Sequence, residues 1–175
     1  SLDDYDYGKC FAVLETKAGG FLAVGQVTRG AGISFAVRLD AGGEVIWQNT
    51  YDGNEWKAVI ESEGGFILAG GGWGGALLIR IADDGEVVWT RRWQNGYRRF
   101  NDIISCENGG YAICNNYYGG FQMMRVDNEG RETWDRIYNL NLGNVYGECY
   151  DLSVMPDGGF AIVGSENQYG YGIIL

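Results

Sequence analysis

One phrase occurs four times in this chain: AGGFLAVG at 18–25, EGGFILAG at 63–70, NGGYAICN at 108–115 and DGGFAIVG at 157–164. Its first glycines, Gly19, Gly64, Gly109 and Gly158, are spaced by 45, 45 and 49 residues. That period is too long for a leucine-rich or ankyrin unit and suits a four-stranded blade. A repeat of this size cannot bury its apolar surface alone, so the copies must stack on one another.

A second phrase falls between the copies: FAVRLDAGGEVIW ending at Trp47, LLIRIADDGEVVW ending at Trp89, and MMRVDNEGRETW ending at Trp134. Each reads as strand, tight Asp/Gly turn, strand. A short apolar run precedes every GG pair: CFAVLET, KAVIES, NDIISC and CYDLSVM. One unit is therefore strand A, a GG turn, strand B, a variable loop, strand C, an Asp/Gly turn, and strand D with its tryptophan. The repeats run approximately over 6–51, 52–93, 94–138 and 139–175, with 1–5 added to the last. The expectation is a single all-β domain, a β-propeller of four antiparallel blades. No eleven-residue stretch combines a 3.6 period with freedom from glycine clusters, so helix has no foothold. One long uncharged stretch, 64–79, is half glycine or tryptophan. It reads as two strands around a glycine turn, and no membrane insertion is expected.

Charge and composition remove several functions. Thirteen Lys and Arg stand against 23 Asp and Glu, and a net charge of -10 repels phosphate backbones, so nucleic acid is not an expected partner. The chain has no His, which removes Ser/His and Cys/His dyads and every His-ligated metal. The turns DAGGE, DDGE and DNEGRE each offer two or three carboxylates, fewer than the six or more oxygens that calcium gathers, and their Asp residues read as turn formers. No metal or cofactor is expected. Paired carboxylates, Asp52 with Glu55 or Asp102 with Asp151, are the remaining route to hydrolytic chemistry. Nothing supplies an activated nucleophile or a tuned acid, so the chain is read as a non-enzyme.

The combination GGF(I/L)(L/V)(A/V)G followed by LD..G...W...Y resembles the β-propeller repeats of many secreted and surface-attached bacterial and archaeal proteins, over nearly the whole chain. Leu39, Asp40, Ala41, Gly43 and Trp47 bear a weaker likeness to the blade-docking phrase of quinoprotein-type propellers. The first resemblance implies an extracellular or cell-surface location and a scaffold without a shared catalytic residue.

Strand connectivity sorts the loops onto two faces. The A-to-B and C-to-D turns carry short acidic sequences. The B-to-C and D-to-A loops carry Tyr5, Tyr7, Trp56, Trp73, Tyr97, Tyr117, Tyr118, Tyr146, Tyr169 and Tyr171, interleaved with Asn54, Asn95, Asn115, Asn116, Asn144 and Gln168. Apolar rings with polar tips suit peptide side chains or sugar rings, and variable loops on a rigid scaffold suit recognition. The expected role is a non-catalytic recognition or interaction module with a protein or glycan ligand. A lectin-like propeller and a structural spacer within a larger ring are the alternatives. Any single ring could instead wedge between blades, and Trp47, Trp89 and Trp134, recurring at one register, read as inter-blade packing.

Cys106 and Cys114 flank the third GG turn. A hairpin centred on Asn108 and Gly109 sets Cys106 opposite Tyr111 and Cys114 opposite Ile103, so these two should not bridge. Cys10 and Cys149 hold equivalent places on strand A, either bonded or as buried free thiols. The start at Ser1, without the basic and apolar regions of a signal peptide, suggests a processed chain or an excerpt. Repeat four lacks strand D, and Ser1 to Tyr5 resembles the tail of one. The alternatives are closure within the chain by residues 2–5 beside the last strand, a homodimer completing a larger ring, or part of a longer array.

Overall fold

A computed structural model of the chain describes residues 7–29, 31–53, 55–72, 74–94, 99–118, 120–139, 146–166 and 169–174. These residues form fifteen β-strands and no helix. The chain divides into two compact units, residues 1–97 and 98–175.

Unit 1 holds two four-stranded antiparallel sheets. Sheet 1 runs β1 (Tyr7–Glu15), β2 (Phe21–Arg29), β3 (Ala31–Leu39), β4 (Val45–Tyr51), and sheet 2 runs β5 (Glu55–Ser62), β6 (Gly65–Gly72), β7 (Gly75–Ala82), β8 (Val87–Trp93). In unit 2, sheet 3 comprises β9 (Phe100–Ser105), β10 (Tyr111–Tyr118), β11 (Gly120–Val126) and β12 (Glu132–Asn139). Sheet 4 comprises β13 (Tyr146–Val154), β14 (Phe160–Glu166) and β15 (Tyr169–Ile174). The end of β10 also pairs with the start of β13, Tyr117 opposite Gly147 and Tyr118 opposite Tyr146, which joins sheets 3 and 4.

The GG phrase has a steric reason. The first glycine of each pair takes a left-handed φ, 85° at Gly19, 69° at Gly64, 76° at Gly109 and 83° at Gly158. The second lies against the neighbouring strand: a Cβ on Gly20, Gly65 or Gly110 would sit 2.2, 2.0 or 2.2 Å from the carbonyl oxygen of Leu39, Ile81 or Val126. An arginine at one register then ties down each of the first three turns. Arg38 Nη2 donates to the Gly19 carbonyl at 2.8 Å, Arg80 Nη2 to that of Glu63 at 2.6 Å, and Arg125 Nη2 to that of Gly109 at 2.6 Å.

Sheets stack face to face within each unit. In unit 1, Leu22, Val24, Ala36 and Tyr51 of sheet 1 share one apolar cluster with Trp56, Val59, Phe66 and Leu68 of sheet 2. In unit 2, Ala112, Cys114, Phe121 and Met123 cluster with Cys149, Leu152 and Ile162. Each fully buried Leu or Ile contributes roughly 1.5–3 kcal/mol, so these seams dominate the cohesion of each unit. The tryptophans of sheets 1 and 3 sit on the next sheet of their own unit. Trp47 Nε1 donates to the Asp83 carbonyl at 2.9 Å, and Tyr51 donates to that of Gly85 at 2.8 Å. Gly85, at φ 86°, leaves room for Trp47, whose ring a Cβ would meet at 3.2 Å. The Trp134 ring meets Phe160 edge-on, with centroids 6.5 Å apart.

Two cysteine expectations change. Cys114 and Cys149 form a disulfide across the sheet 3–sheet 4 seam, while Cys10 and Cys106 are free, and Cys10 is an exposed thiol rather than the buried one expected. The alternative of a Cys10–Cys149 bond is overturned, because the residue facing strand A across a seam lies on strand B of the preceding sheet. Cys106 and Cys114 do not bridge, but their register differs by one from the expected one: Cys114 lies opposite Asp102. The turn closes with Gly109 N–H on the Cys106 carbonyl and Cys106 N–H on that of Gly110, which centres the hairpin on Asn108. The expected pairing of residues 2–5 with the last strand lies outside the described residues.

Candidate functional site

The two ends of the sheets use their side chains differently. At the end of the GG and Asp/Gly turns, carboxylates bind their own backbone. Asp40 Oδ1 accepts from Gly42 and Glu44 N–H at 2.8 and 2.9 Å, and Asp127 Oδ1 accepts from Glu129 and Arg131 N–H at 3.0 and 2.7 Å. The Arg131 and Glu129 amides, with the Arg131 guanidinium, hold the Asp127 carboxyl below its ordinary range. These Asp side chains act as turn formers.

The opposite end carries the aromatic residues. In unit 1, Tyr7 opens β1 opposite Thr28 and is exposed, with the Lys9 ammonium 5.5 Å from its ring centre. Trp56, expected on this face, is instead fully buried in the unit 1 core. It holds the strand A position opposite Gly70, on which a Cβ would sit 1.9 Å from the Glu55 carbonyl oxygen, and with its ring in the core it leaves the candidate site. Trp73 and Tyr97 lie outside the described residues.

In unit 2 the backbone gathers four of the predicted tyrosines. Tyr117 is opposite both Gly120 and Gly147, Tyr118 is opposite Tyr146, and Tyr169 is opposite Glu166, itself paired with Gly147. These positions share one end of the joined sheet. Tyr171 lies two residues further along β15, opposite Gly164.

The polar residues on which that end rests are largely structural. Asn115 is buried and donates to Gln122 Oε1 at 2.6 Å, so it does not belong to the exposed set. Gln122 Nε2 in turn donates to both oxygens of Asp135 at 2.7 Å. Asn116 Oδ1 accepts the Cys149 N–H at 2.9 Å and a bond from Asn101, whose Nδ2 also donates to the Cys149 carbonyl at 2.9 Å. Asn101 and Asn116 thus peg sheet 3 to sheet 4 beside the disulfide.

Of the two proposed carboxylate pairs, Asp52 and Glu55 each have a cationic partner, whereas Asp102 and Asp151 are neighbours. Asp52 bonds Arg92 at 2.5 Å, and Glu55 lies 3.2 Å from Lys57. Asp102 Oδ2 accepts the Leu152 N–H at 2.8 Å across the seam. Burial raises its pKa to about 6, and the neighbouring Asp151 adds to the rise, against the Ile103 and Leu152 amides, which lower it. No group of three or more metal-ligating side chains occurs among the described residues.

Sequence reading missed the arginine ties and the Asn101–Asn116 peg. The first was visible as Arg38, Arg80 and Arg125 at one place in the second phrase. The second carries no periodic signal, because it occurs once.

No protein-family model matches the chain, and no curated protein does. Among solved structures it is similar to a protein of unknown function from Bacteroides caccae, at 15% identity and a TM-score of 0.65, over 97% of this chain and 60% of that one. It is also similar to two structures of Sqt1 from Chaetomium thermophilum, each at 15% identity, with TM-scores of 0.56 and 0.55, over 89% of this chain and 41% of those. At this identity the likeness is one of fold. The chain spans less than two thirds of the length of these proteins.

Proposed function

We propose that this chain is a non-catalytic recognition module of an exported or cell-surface protein, built of four propeller-type blades and binding a protein ligand through its tyrosine-bearing end. The observation that carries the reading is the β10–β13 register, which brings Tyr117, Tyr118 and Tyr146 together with Tyr169 at one end of the joined sheet. Tyrosine offers large contact area at low entropic cost, and a disulfide-pegged, two-sheet platform is a preorganised support for it. The Cys114–Cys149 disulfide supports an oxidising location, where such bonds persist. The four sheets, their face-to-face seams and the recurring tryptophan support the blade reading. Tyrosine-rich binding surfaces also serve sugars, so the test separates the two chemistries.

The immobilised wild-type chain and its Y117A/Y118A/Y146A variant are exposed to a biotinylated extracellular and surface protein fraction. In parallel, both are titrated with a panel of mono- and oligosaccharides. A protein retained by the wild type and lost by the folded triple variant upholds the reading. Saturable sugar binding lost in the same variant replaces it with the lectin reading. Retention of every ligand by the variant sinks the tyrosine end as the site.

A further inference from the structure

The stacked sheets carry a second surface, independent of the tyrosine end. Each seam has a trailing face on the earlier sheet and a leading face on the later one. On the leading face, Val59 in sheet 2 and Leu152 in sheet 4 are paired with Leu68 and Ile162, and all four are buried. The same place in sheet 1 holds Val13, paired with Ala23, and Val13 is 66% exposed. Phe21 is likewise 37% exposed where its counterpart Phe66 is buried. The trailing face behaves in the same way. Val24 in sheet 1 and Cys114 in sheet 3 are fully buried, whereas their counterpart Val163 in sheet 4 is 51% exposed. Among the described residues, sheet 1 thus presents an uncovered leading face and sheet 4 an uncovered trailing face.

The seam within unit 2 shows how two such faces join. Cys149, opposite Gly164, bonds Cys114, and the Asp102 carboxylate accepts the Leu152 N–H. By register, Cys10 opposite Gly25 is the counterpart of Cys149, and Val163 is the counterpart of Cys114. Asp151, opposite Val163, is the counterpart of Asp102, opposite Cys114, and Val13 is the counterpart of Leu152. Each sheet also carries the same strand A bulge, between Cys10 and Ala12 and between Cys149 and Asp151, so the backbones match. Strand β1 is an edge strand, and at the Leu152 register its amide points away from β2. Both the thiol of Cys10 and the carboxyl-bearing Asp151 are exposed.

We propose that the leading face of sheet 1 is a docking surface for the trailing face of sheet 4 of a second copy of this chain, joined head to tail, with Cys10 against Val163 and Asp151 accepting the Val13 N–H. The argument for this occupant is continuity with the seams already formed: the chain carries both halves of the same interface, and a surface of this kind left open invites its complement. Among the described residues sheet 4 has three strands, and a Cβ on Gly43, the counterpart of Gly85, would meet nothing within 4 Å. The contact is carried by the inner two strands of each sheet.

The test uses the full chain. V163C, oxidised with glutathione disulfide, should form a bond to Cys10 of a neighbouring copy, each bond releasing two protons and two electrons to the oxidant. A dimer on a non-reducing gel, lost in V163C/C10S and mapped to that pair by peptide mass spectrometry, is the expected result. The same bond found within one chain overturns the second copy as occupant and assigns the face to closure. Absence of the bond, with the thiols shown accessible by alkylation, overturns the docking itself. Sedimentation provides an independent readout without oxidant. Wild type should associate with rising concentration, V13E and V163E should each be folded monomers, and an equal mixture of the two should regain one dimer interface. D151A should weaken association by about tenfold, the loss of one charge-assisted hydrogen bond. A wild type that stays monomeric, or a mixture that does not reassociate, overturns the proposal.

Discussion

At the scale of single residues, the repeated GG pair contains two glycines doing different work. Gly64 needs only a left-handed φ of 69° and has open space around a Cβ, whereas a Cβ on Gly65 would collide with the Ile81 carbonyl oxygen at 2.0 Å. Gly64→Ala should therefore cost about 1 kcal/mol and Gly65→Ala clearly more, about 3 kcal/mol, in denaturant unfolding. Equal losses would show that the strand spacing at this turn is not what demands the second glycine. Asp102 sets a pH dependence of known sign. Its folded pKa, about 6, lies above the ordinary 3.8, so the folded state holds the proton more tightly. The stabilisation is complete below about pH 4 and is lost as the pH rises through about 6. Asp102→Asn keeps an acceptor for the Leu152 amide without a charge to bury. It should be more stable than wild type at pH 7, by on the order of 2 kcal/mol, with the advantage shrinking toward pH 4. A constant difference across that range would mean that burial of this carboxyl is not the cause.

At the scale of elements, the seams between sheets do what the hydrogen-bonded ladders alone cannot. Sheets 3 and 4 are joined by apolar contact, the Asn101–Asn116 peg, the Asp102–Leu152 bond and the Cys114–Cys149 disulfide. The bond closes a loop of 35 residues, so in the chain-entropy account C114A/C149A should lose about 4 kcal/mol of stability. The check is chemical denaturation of wild type and variant, with the wild type repeated in reductant. Agreement between the reduced wild type and the variant would place the effect on the cross-link; a variant as stable as the oxidised protein would remove it. The repeat frame, with its strands, turns and tryptophans, was legible because each element recurs. The partner of Cys149 was not legible, because nothing periodic marks which strand of the preceding sheet it meets.

At the scale of the whole molecule, protection should follow how many faces of a strand are covered. Central strands β6, β7 and β11 are buried along most of their length, while β4 and β8 alternate exposed and half-buried positions. Amide hydrogen exchange should be slowest in Leu68, Leu77, Leu78 and Met123 and fastest in β4 and β8. Uniform protection across these strands would contradict a core concentrated in the middle strands. The candidate site was legible only in part. A loop-end count of aromatic residues took in Tyr7, Tyr117, Tyr118 and Tyr146, which lie at strand ends, but also Trp56, which is fully buried in the unit 1 core.

The amino-acid sequence by itself determined the all-β class, the period of the four units and the place of the GG and Asp/Gly turns, because glycine and aspartate impose their backbone geometry wherever they recur. The tertiary structure alone decided which faces are covered, which cysteines meet and which side chains peg one sheet to the next. Those outcomes depend on contacts between residues 35 to 50 positions apart, such as Cys114 with Cys149 and Asp102 with Leu152, and no local pattern encodes them.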